Sequence, residues 1–590
     1  MQKEASSSGI LRFGTFEVDV RAGELRKGGA RIRLQEQPLR ILEMLLAHPG
    51  QLVTREELRG RLWPSHTFVD FEHGLNKAIN KLREALGDSA ETPRFIETVP
   101  KRGYRFVEQP SSGAQQVAVP EAAIAVLPFL NLTTDPENEL FADGICEEII
   151  FSLTQIRDLH VAARTSSFSF KGKFVDLRTV GQQLNVRTLL EGSVRRSGDR
   201  LRVTAQLVNV ADGYHLWSQQ YDRELKDLFS IQEDIAHSIA QNLEVTLDSA
   251  SRPLVRGGTE NVEAFKSFVR GRALFFQRGQ RIPPSVECFK RAVALDPTYA
   301  LAWSGLADAY NSAGFYGVAS PETCLPQAKE AAQRAIELDP LLAEAHTSVA
   351  LSYLLHDWDR SRSEREFLRS LELKPNNGLT RVWYGYFYLQ CAANRFEEGR
   401  EQAQEAVRID PLSAWFRGML ATTYLPIDAD RCLQVVLETL RLDPDSFLAR
   451  FIQMAALNLL GRSDEAAQVA ELMLRTLGRA AWVMGALART YAWLGKRADA
   501  EALYMELRWR ASREYVAPSI LGWAALAAGE HDEAMRLEEK AHAIGDPSLI
   551  NANCWPDWAE LREDPRFKEI LRARGWTRSH EFGPMKLQQP

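Results

Sequence analysis

Long apolar runs are missing from this 590-residue chain. The longest stretch free of Asp, Glu, Lys and Arg runs from Tyr515 to Gly529, 15 residues interrupted by Pro518. A membrane span needs about 18 or more apolar residues, so none is expected. The opening MQKEASSSGILRF lacks the basic-then-apolar order of a secretory signal. Cysteine is scarce. Cys146, Cys288, Cys324, Cys391, Cys432 and Cys554 lie far apart with no CxxC pair, which excludes a zinc ribbon or dense disulfide framework and fits reduced thiols. There is no G-x-x-x-x-G-K-[ST] loop, no His cluster at zinc spacing and no nucleophile constellation, so no cofactor, metal or catalytic site is implied. Positive charge is not in surplus either: 72 Lys plus Arg against 78 Asp plus Glu give −6, so any nucleic-acid role needs a local basic surface. With 45% apolar and 25% charged residues, the composition is that of soluble globular protein in about four domain-sized units, and the absences above make a cytoplasmic, non-enzymatic chain the expectation.

Two composition shifts mark joints. The uncharged QPSSGAQQVAV segment places one linker at 109–121, and DSASRPLVRGGTEN places another at 248–261. Beyond the second joint, periodicity decides the fold. Leu-Asp-Pro or a close variant recurs at Pro297, Pro340, Pro375, Pro411 and Pro444, at spacings of 43, 35, 36 and 33. Gly461, Gly495 and Gly529 follow at intervals of 34, as do Ala466, Ala500 and Ala534. Trp303, Leu306, Ala307 and Tyr310 stand at W-x2-L-G-x2-Y spacing with Ala for Gly, and Leu487, Ala488 and Tyr491 repeat the end of that pattern. This region resembles the tetratricopeptide family. The resemblance implies an all-α superhelical solenoid of about eight helix pairs over 262–550, closed by a terminal cap over 551–580. Each repeat is expected to touch only its neighbours, and the concave groove to take a partner protein or peptide.

At the amino terminus, FGTFEVDV, GELRKG and ARIRL alternate apolar and polar residues as short strands do. A helix with Leu39, Ile41, Leu42, Leu45 and Leu46 follows, and Thr54 with Glu57 spells a capping box that opens a second. A third helix, from about Asp70 to Leu86, buries Leu75, Ala78 or Ile79, Leu82 and Leu86. Its outer stripe is His73, Asn76, Asn80 and Arg83 with Lys77 and Lys81 beside it, and no acid lies between His73 and Arg83. The strands of RFIETVPKRGYRF come last. Residues 10–108 carry 17 basic and 14 acidic side chains, +3 against −9 for the remainder. LEMLLAHPGQLVTREELRGRLWP, LNKAINKLREALGD and PRFIETVPKRGYRF resemble the winged helix-turn-helix output domain of the OmpR/PhoB type, an α+β winged helix over 10–108. The resemblance implies that the third helix enters the major groove of double-stranded DNA. Asn76, Lys77 and Lys81 would then read base edges, and His73, Asn80 and Arg83 would hold phosphate. Lys101, Arg102 and Arg105 would serve the wing. The loop Trp63, Pro64, Ser65, His66, Thr67, Phe68 and Val69 corresponds to the segment the family uses to touch RNA polymerase.

Between the joints, AVLPF, FADGICEEI, LEGSVRRSGDRLRV and LWSQQYDREL resemble the TolB-like α/β domain found beside some bacterial adenylate cyclases and regulators, over 122–247. Asp143, Glu147 and Glu148 are expected on the solvated face of an amphipathic helix and Cys146 on its apolar side. The whole reads as a one-component regulator whose middle and helical regions receive a signal. The competing reading is a signalling scaffold whose winged helix contacts protein instead of DNA.

Overall fold

The computed structural model describes residues 10–13, 16–19, 24–27, 30–32, 34–47, 49–62, 71–90, 93–100, 102–107, 111–112, 122–133, 136–154, 156, 159–173, 175–224, 228–243, 258–555 and 558–576. The chain divides into two compact units, Met1–Val119 and Pro120–Pro590.

In the first unit, strands β1 (Ile10–Phe13), β2 (Phe16–Asp19), β3 (Glu24–Lys27) and β4 (Ala30–Ile32) form an antiparallel sheet. Helices α1 (Glu36–Ala47), α2 (Arg55–Leu62) and α3 (Phe71–Leu86) follow, with β5 (Leu52–Thr54) between the first two. A hairpin, β6 (Ile96–Val99) and β7 (Gly103–Phe106), pairs with β5 in the order β5-β7-β6. Ser111–Ser112 then forms β8 on the outer edge of β1, inside the stretch read as linker. The Thr54–Glu57 box forms: Thr54 N donates to Glu57 Oε2 at 2.7 Å and Glu57 N to Thr54 Oγ1 at 3.2 Å. Phe13 meets Phe95 and Phe106 edge-on at 5.3 and 4.9 Å, tying the amino-terminal sheet to the hairpin.

The second unit opens with a mixed sheet. Its strands are β9 (Ala123–Val126), β10 (Leu130–Asn131), β11 (His160–Val161), β12 (Thr188–Ser197), β13 (Arg200–Asn209) and β14 (His215–Glu224), in the order β11-β9-β12-β13-β14 with β10 on β12. The long antiparallel arms of β12 and β13 meet at Gly198, whose φ of +59° suits the Ser197–Gly198–Asp199 turn. Helices α4 (Pro136–Leu153), α5 (Arg164–Phe168), α6 (Leu177–Leu184) and α7 (Leu228–Asn242) complete this domain.

One expectation is overturned on α4. Asp143, Glu147 and Glu148 are buried, at 8%, 4% and 4% exposure. Their face is covered by a helix more than 100 residues away in sequence. Arg272 of that helix pairs with Glu147 at 3.0 Å, and Arg164 pairs with it at 3.2 Å. Lys171 holds Asp143 at 2.7 Å. Burial pushes the Glu148 carboxyl up to about 8, with neighbouring Glu147 adding to the shift. Cys146 is fully buried and accepts from Phe129 N at 3.2 Å, and burial pushes its thiol well above its ordinary value.

Eight helix pairs follow: α8 (Val262–Gln277) with α9 (Ile282–Leu295), α10 (Ala300–Phe315) with α11 (Pro321–Leu338), α12 (Ala343–Leu355) with α13 (Arg360–Leu373), and α14 (Gly378–Trp383) with α15 (Phe396–Ile409). The rest are α16 (Ala414–Tyr424) with α17 (Ala429–Leu442), α18 (Phe447–Leu459) with α19 (Ser463–Leu477), α20 (Ala481–Trp493) with α21 (Arg497–Ala511), and α22 (Pro518–Ala527) with α23 (His531–Ala543). The architecture is an all-α array of repeated helix pairs, as the 34-residue period predicts. Each of the first five pairs ends where a residue in extended backbone precedes the periodic proline: Asp296, Asp339, Lys374, Asp410 and Asp443. Six residues beyond each of these prolines a side chain reaches its carbonyl: Trp303, His346, Arg381, Arg417 and Arg450, at 2.7–3.0 Å. This bond ties the start of each following helix to the turn before it, and proline-plus-six is a signal the sequence reading passed over.

α14 continues as a π-helical segment, Tyr384–Ala392. Gly385 lies so close to Gly399 of α15 that a Cβ on either would come within 2.7 Å of the other's carbonyl oxygen. The cap ends in α24 (Pro565–Ala573) and folds back across distant repeats. Tyr386 Oη donates to Asn551 Oδ1 at 2.8 Å, Trp576 Nε1 donates to the Cys391 carbonyl at 3.0 Å, and the Cys391 and Cys554 sulfurs stand 3.2 Å apart. Arg360 of α13 donates to the Arg574 carbonyl at 2.7 Å. Within the turn, Phe315 of the second pair packs at 5.0 Å on Phe387 of the fourth and at 5.7 Å on Trp482 of the seventh. Repeats therefore touch beyond their neighbours, contrary to the nearest-neighbour expectation, because the superhelix winds tightly enough for its inner aromatics to meet.

The middle domain is seated on this solenoid. Ser166 Oγ donates to Asp410 Oδ1 and accepts from Leu412 N at 2.9 Å, and Lys374 lies 4.9 Å from the Phe151 ring centre. Burial raises the Asp410 carboxyl to about 6, with hydrogen bonds from Ser166 and Thr165 opposing the shift.

Candidate nucleic-acid interface

α3 is helical because Leu75, Ala78, Ile79, Leu82 and Leu86 recur on one face, and all five are buried against the rest of the winged helix. The helix stops at Gly87, φ +63°, where Asp88 N bonds back to the Arg83 carbonyl at 2.9 Å. Asp88 then organises the hairpin. Its carboxylate accepts from the backbone N–H groups of Arg94, Phe95 and Ile96 at 2.7, 3.2 and 2.8 Å, clamping the start of β6 to the end of α3. The sequence signal for this clamp, Gly-Asp at the end of an apolar-periodic helix, was available and not used.

Asn76, Lys77, Asn80 and Lys81 are exposed on the opposite face of α3, together with no acid between Asn76 and Lys81. Lys81 Nζ donates to Gln35 Oε1, ahead of α1, at 2.7 Å. Asn76 Oδ1 accepts from Tyr104 Oη at 3.0 Å, and Arg55 of α2 donates to the same hydroxyl at 3.2 Å with its guanidinium 5.3 Å from the ring centre. Arg55 and Tyr104 therefore fix the amide of Asn76 with its oxygen inward and its N–H groups free to donate. Neither residue was singled out from the sequence, because their meeting depends on the fold bringing Tyr104 of β7 within side-chain reach of Asn76.

Arg83 is placed elsewhere than expected. It is 7% exposed, and Nη2 donates to the Ile96 carbonyl at 2.7 Å and to Thr98 Oγ1 at 2.8 Å. The hairpin covers the side of the helix on which Arg83 stands, so this guanidinium binds β6 and has no open path to phosphate. Arg102 is exposed at the hairpin turn, while Arg105 is half-buried and paired with Glu97 at 3.2 Å across β6 and β7. The side chain of His73, all of Lys101 and the loop Trp63–Val69 lie outside the described residues. Gly103 permits the β5–β7 pairing, since a Cβ there would stand 2.0 Å from the Val53 carbonyl oxygen. Among the described residues, no group of three or more His, Cys, Asp and Glu is arranged to hold a metal, and no helix is long and apolar enough to cross a membrane.

Residues 29–106 match the family described as "Transcriptional regulatory protein, C terminal", so the amino-terminal domain is of the OmpR/PhoB type. Among curated proteins, the chain is 37% identical over 251 residues to "Putative adenylate cyclase 3" of Rhizobium meliloti, covering 41% of this chain and 42% of that one. It is 22% identical over 404 residues to "Transcriptional regulator HilA" of Salmonella typhimurium, covering 66% and 69%. The chain thus spans less than half the length of the first relative. Among solved structures, pilF of Pseudomonas aeruginosa is similar at 19% identity with a TM-score of 0.28, over 38% of this chain and 96% of that one.

Proposed function

We propose that this chain is a sequence-specific, one-component transcriptional regulator acting in the cytoplasm through its winged helix on double-stranded DNA. The observation that carries the reading is the exposed, acid-free stripe Asn76, Lys77, Asn80 and Lys81 on a helix whose other face is fully buried. The family match of residues 29–106 and the name of the Salmonella relative, a transcriptional regulator, support it. In this reading the free N–H groups of Asn76 donate to an adenine edge, and Lys77 and Lys81 donate to guanine edges. Asn80 and Arg102 contact the phosphate backbone, with His73 and Lys101 beside them. Arg105, tied to Glu97, supports the wing, and the loop Trp63–Val69 meets RNA polymerase. The middle domain and solenoid take a protein or peptide partner and relay its presence to the reader.

The test is selection of bound duplexes from a random pool by the full chain, followed by titration of the selected site at several salt concentrations. The expected result is one recovered motif, with log affinity falling linearly with log salt as phosphate contacts release counterions. No enriched motif, or binding indifferent to salt, would leave a protein-contacting winged helix as the better reading.

A further inference from the structure

Arg278, just past the end of α8, is 5% exposed and has a φ of +61°, a conformation that favours glycine. Its guanidinium lies 3.9 Å from the Phe275 ring centre and 4.4 Å from that of Trp415. One weak bond is made, from Nη1 to Ser312 Oγ at 3.4 Å. Nε and Nη2 are buried without a partner, and no carboxylate of the described residues forms an ion pair with the group. Asp308 is buried nearby, yet its carboxylate accepts from Ser348 Oγ at 2.6 Å. Burial lowers the guanidinium to about 10, so it stays a cation at neutral pH. A buried cation with unused donors is costly unless something pairs with it.

Nε and Nη2 form the side edge of the guanidinium fork, the pair of donors that meets two oxygens of one oxyanion. Arg278 lines a cavity at the centre of the superhelical turn, walled by Phe315, Trp383, Phe387, Phe451 and Trp482 of the second, fourth, sixth and seventh pairs. The space is narrow. About 40 Å³ is wide enough for the centre of a water-sized group, within about 640 Å³ of empty volume that includes open solvent. A helix, about 10–12 Å across with its side chains, does not fit at this level. A flat ring does. We infer that this cavity is a binding site for a small aromatic carboxylate, its oxygens held side-on by Arg278 and its ring stacked among the aromatics.

The site does not rest on the DNA-binding reading, and its test leaves DNA out. The full chain is titrated calorimetrically with benzoate and indole-3-carboxylate, with benzamide and inorganic phosphate as comparisons, alongside Arg278→Met. The inference expects saturable 1:1 binding of at least one carboxylate, at least tenfold weaker binding of benzamide, and loss of carboxylate binding by at least tenfold in the variant. Without ligand, Arg278→Met should melt no lower than the parent, because an unpaired buried charge has been removed. If that variant fails to fold, the benzoate and benzamide comparison on the parent protein still decides. Equal affinity for benzoate and benzamide, or no saturable binding of either carboxylate, overturns the site; binding of phosphate alone overturns the carboxylate assignment.

Discussion

Lys81 and Arg83 stand two positions apart on α3 and do opposite work. Lys81 is open and, among the described residues, bonded only to another exposed side chain, Gln35, while Arg83 is consumed by the Ile96 carbonyl and Thr98. Lys81→Ala should therefore lower discrimination between the selected site and its base-substituted versions by about 1–3 kcal/mol, leaving thermal stability unchanged. Arg83→Ala should do the reverse, destabilising the winged helix by about 1–3 kcal/mol and weakening all DNA sequences alike. Parallel melting curves and competition titrations separate the two. Asp410 gives a pH-dependent counterpart. Its folded carboxyl, at about 6, lies above its ordinary value of 3.8, so its ionisation opposes folding. The penalty is absent below the ordinary value, grows as pH rises, and is complete above about 6. Asp410→Asn, which keeps an oxygen for Ser166, should thus raise the melting temperature at pH 7.5. The gain should fade as pH is lowered from 6 toward 4; a gain constant across that range would place its origin elsewhere.

At the scale of elements, the wing depends on a backbone approach that only glycine allows. Gly103→Ala should push β7 off β5, with faster amide exchange at Leu52–Thr54 and loss of DNA binding, even though no DNA-facing side chain has changed. In the solenoid, Ala500 is fully buried where α21 packs against its partner, and Ala500→Leu should overpack that contact at about 1–3 kcal/mol by thermal or urea denaturation. These elements were readable because their causes are local. The 3.6-residue recurrence of Leu75, Ile79, Leu82 and Leu86 identifies the inner face of α3, and the Pro and Gly periods count the helix pairs. What could not be read is set by non-local partners. A helix pattern shows that Arg83 and Glu147 stand off the main apolar stripe, and says nothing of a hairpin or a distant Arg272 arriving to cover them. The Asn76–Tyr104–Arg55 arrangement escapes for the same reason: its members are 28 and 49 residues apart.

Across the whole second unit, the contacts that matter most join segments far apart in sequence: Cys391 with Trp576, 185 residues away, and Arg360 with Arg574, 214 residues away. Removing residues 546–590 should therefore loosen Tyr384–Ala392 and the start of α13, not merely the last pair. Amide exchange checks this, and protection changes confined to α22 and α23 would show that the cap is only a local lid. Closure also bears on ancestry. An open array of paired helices grows or shrinks by duplicating or losing a unit at either end, since only one junction is disturbed. A turn in which the second pair meets the seventh, and the cap returns to the third and fourth, has a fixed tally. An added or deleted unit would carry Phe315 past Trp482 and leave Tyr386 without Asn551. Descendants of this chain are then constrained to vary in loop length and side chains while inheriting the same number of pairs.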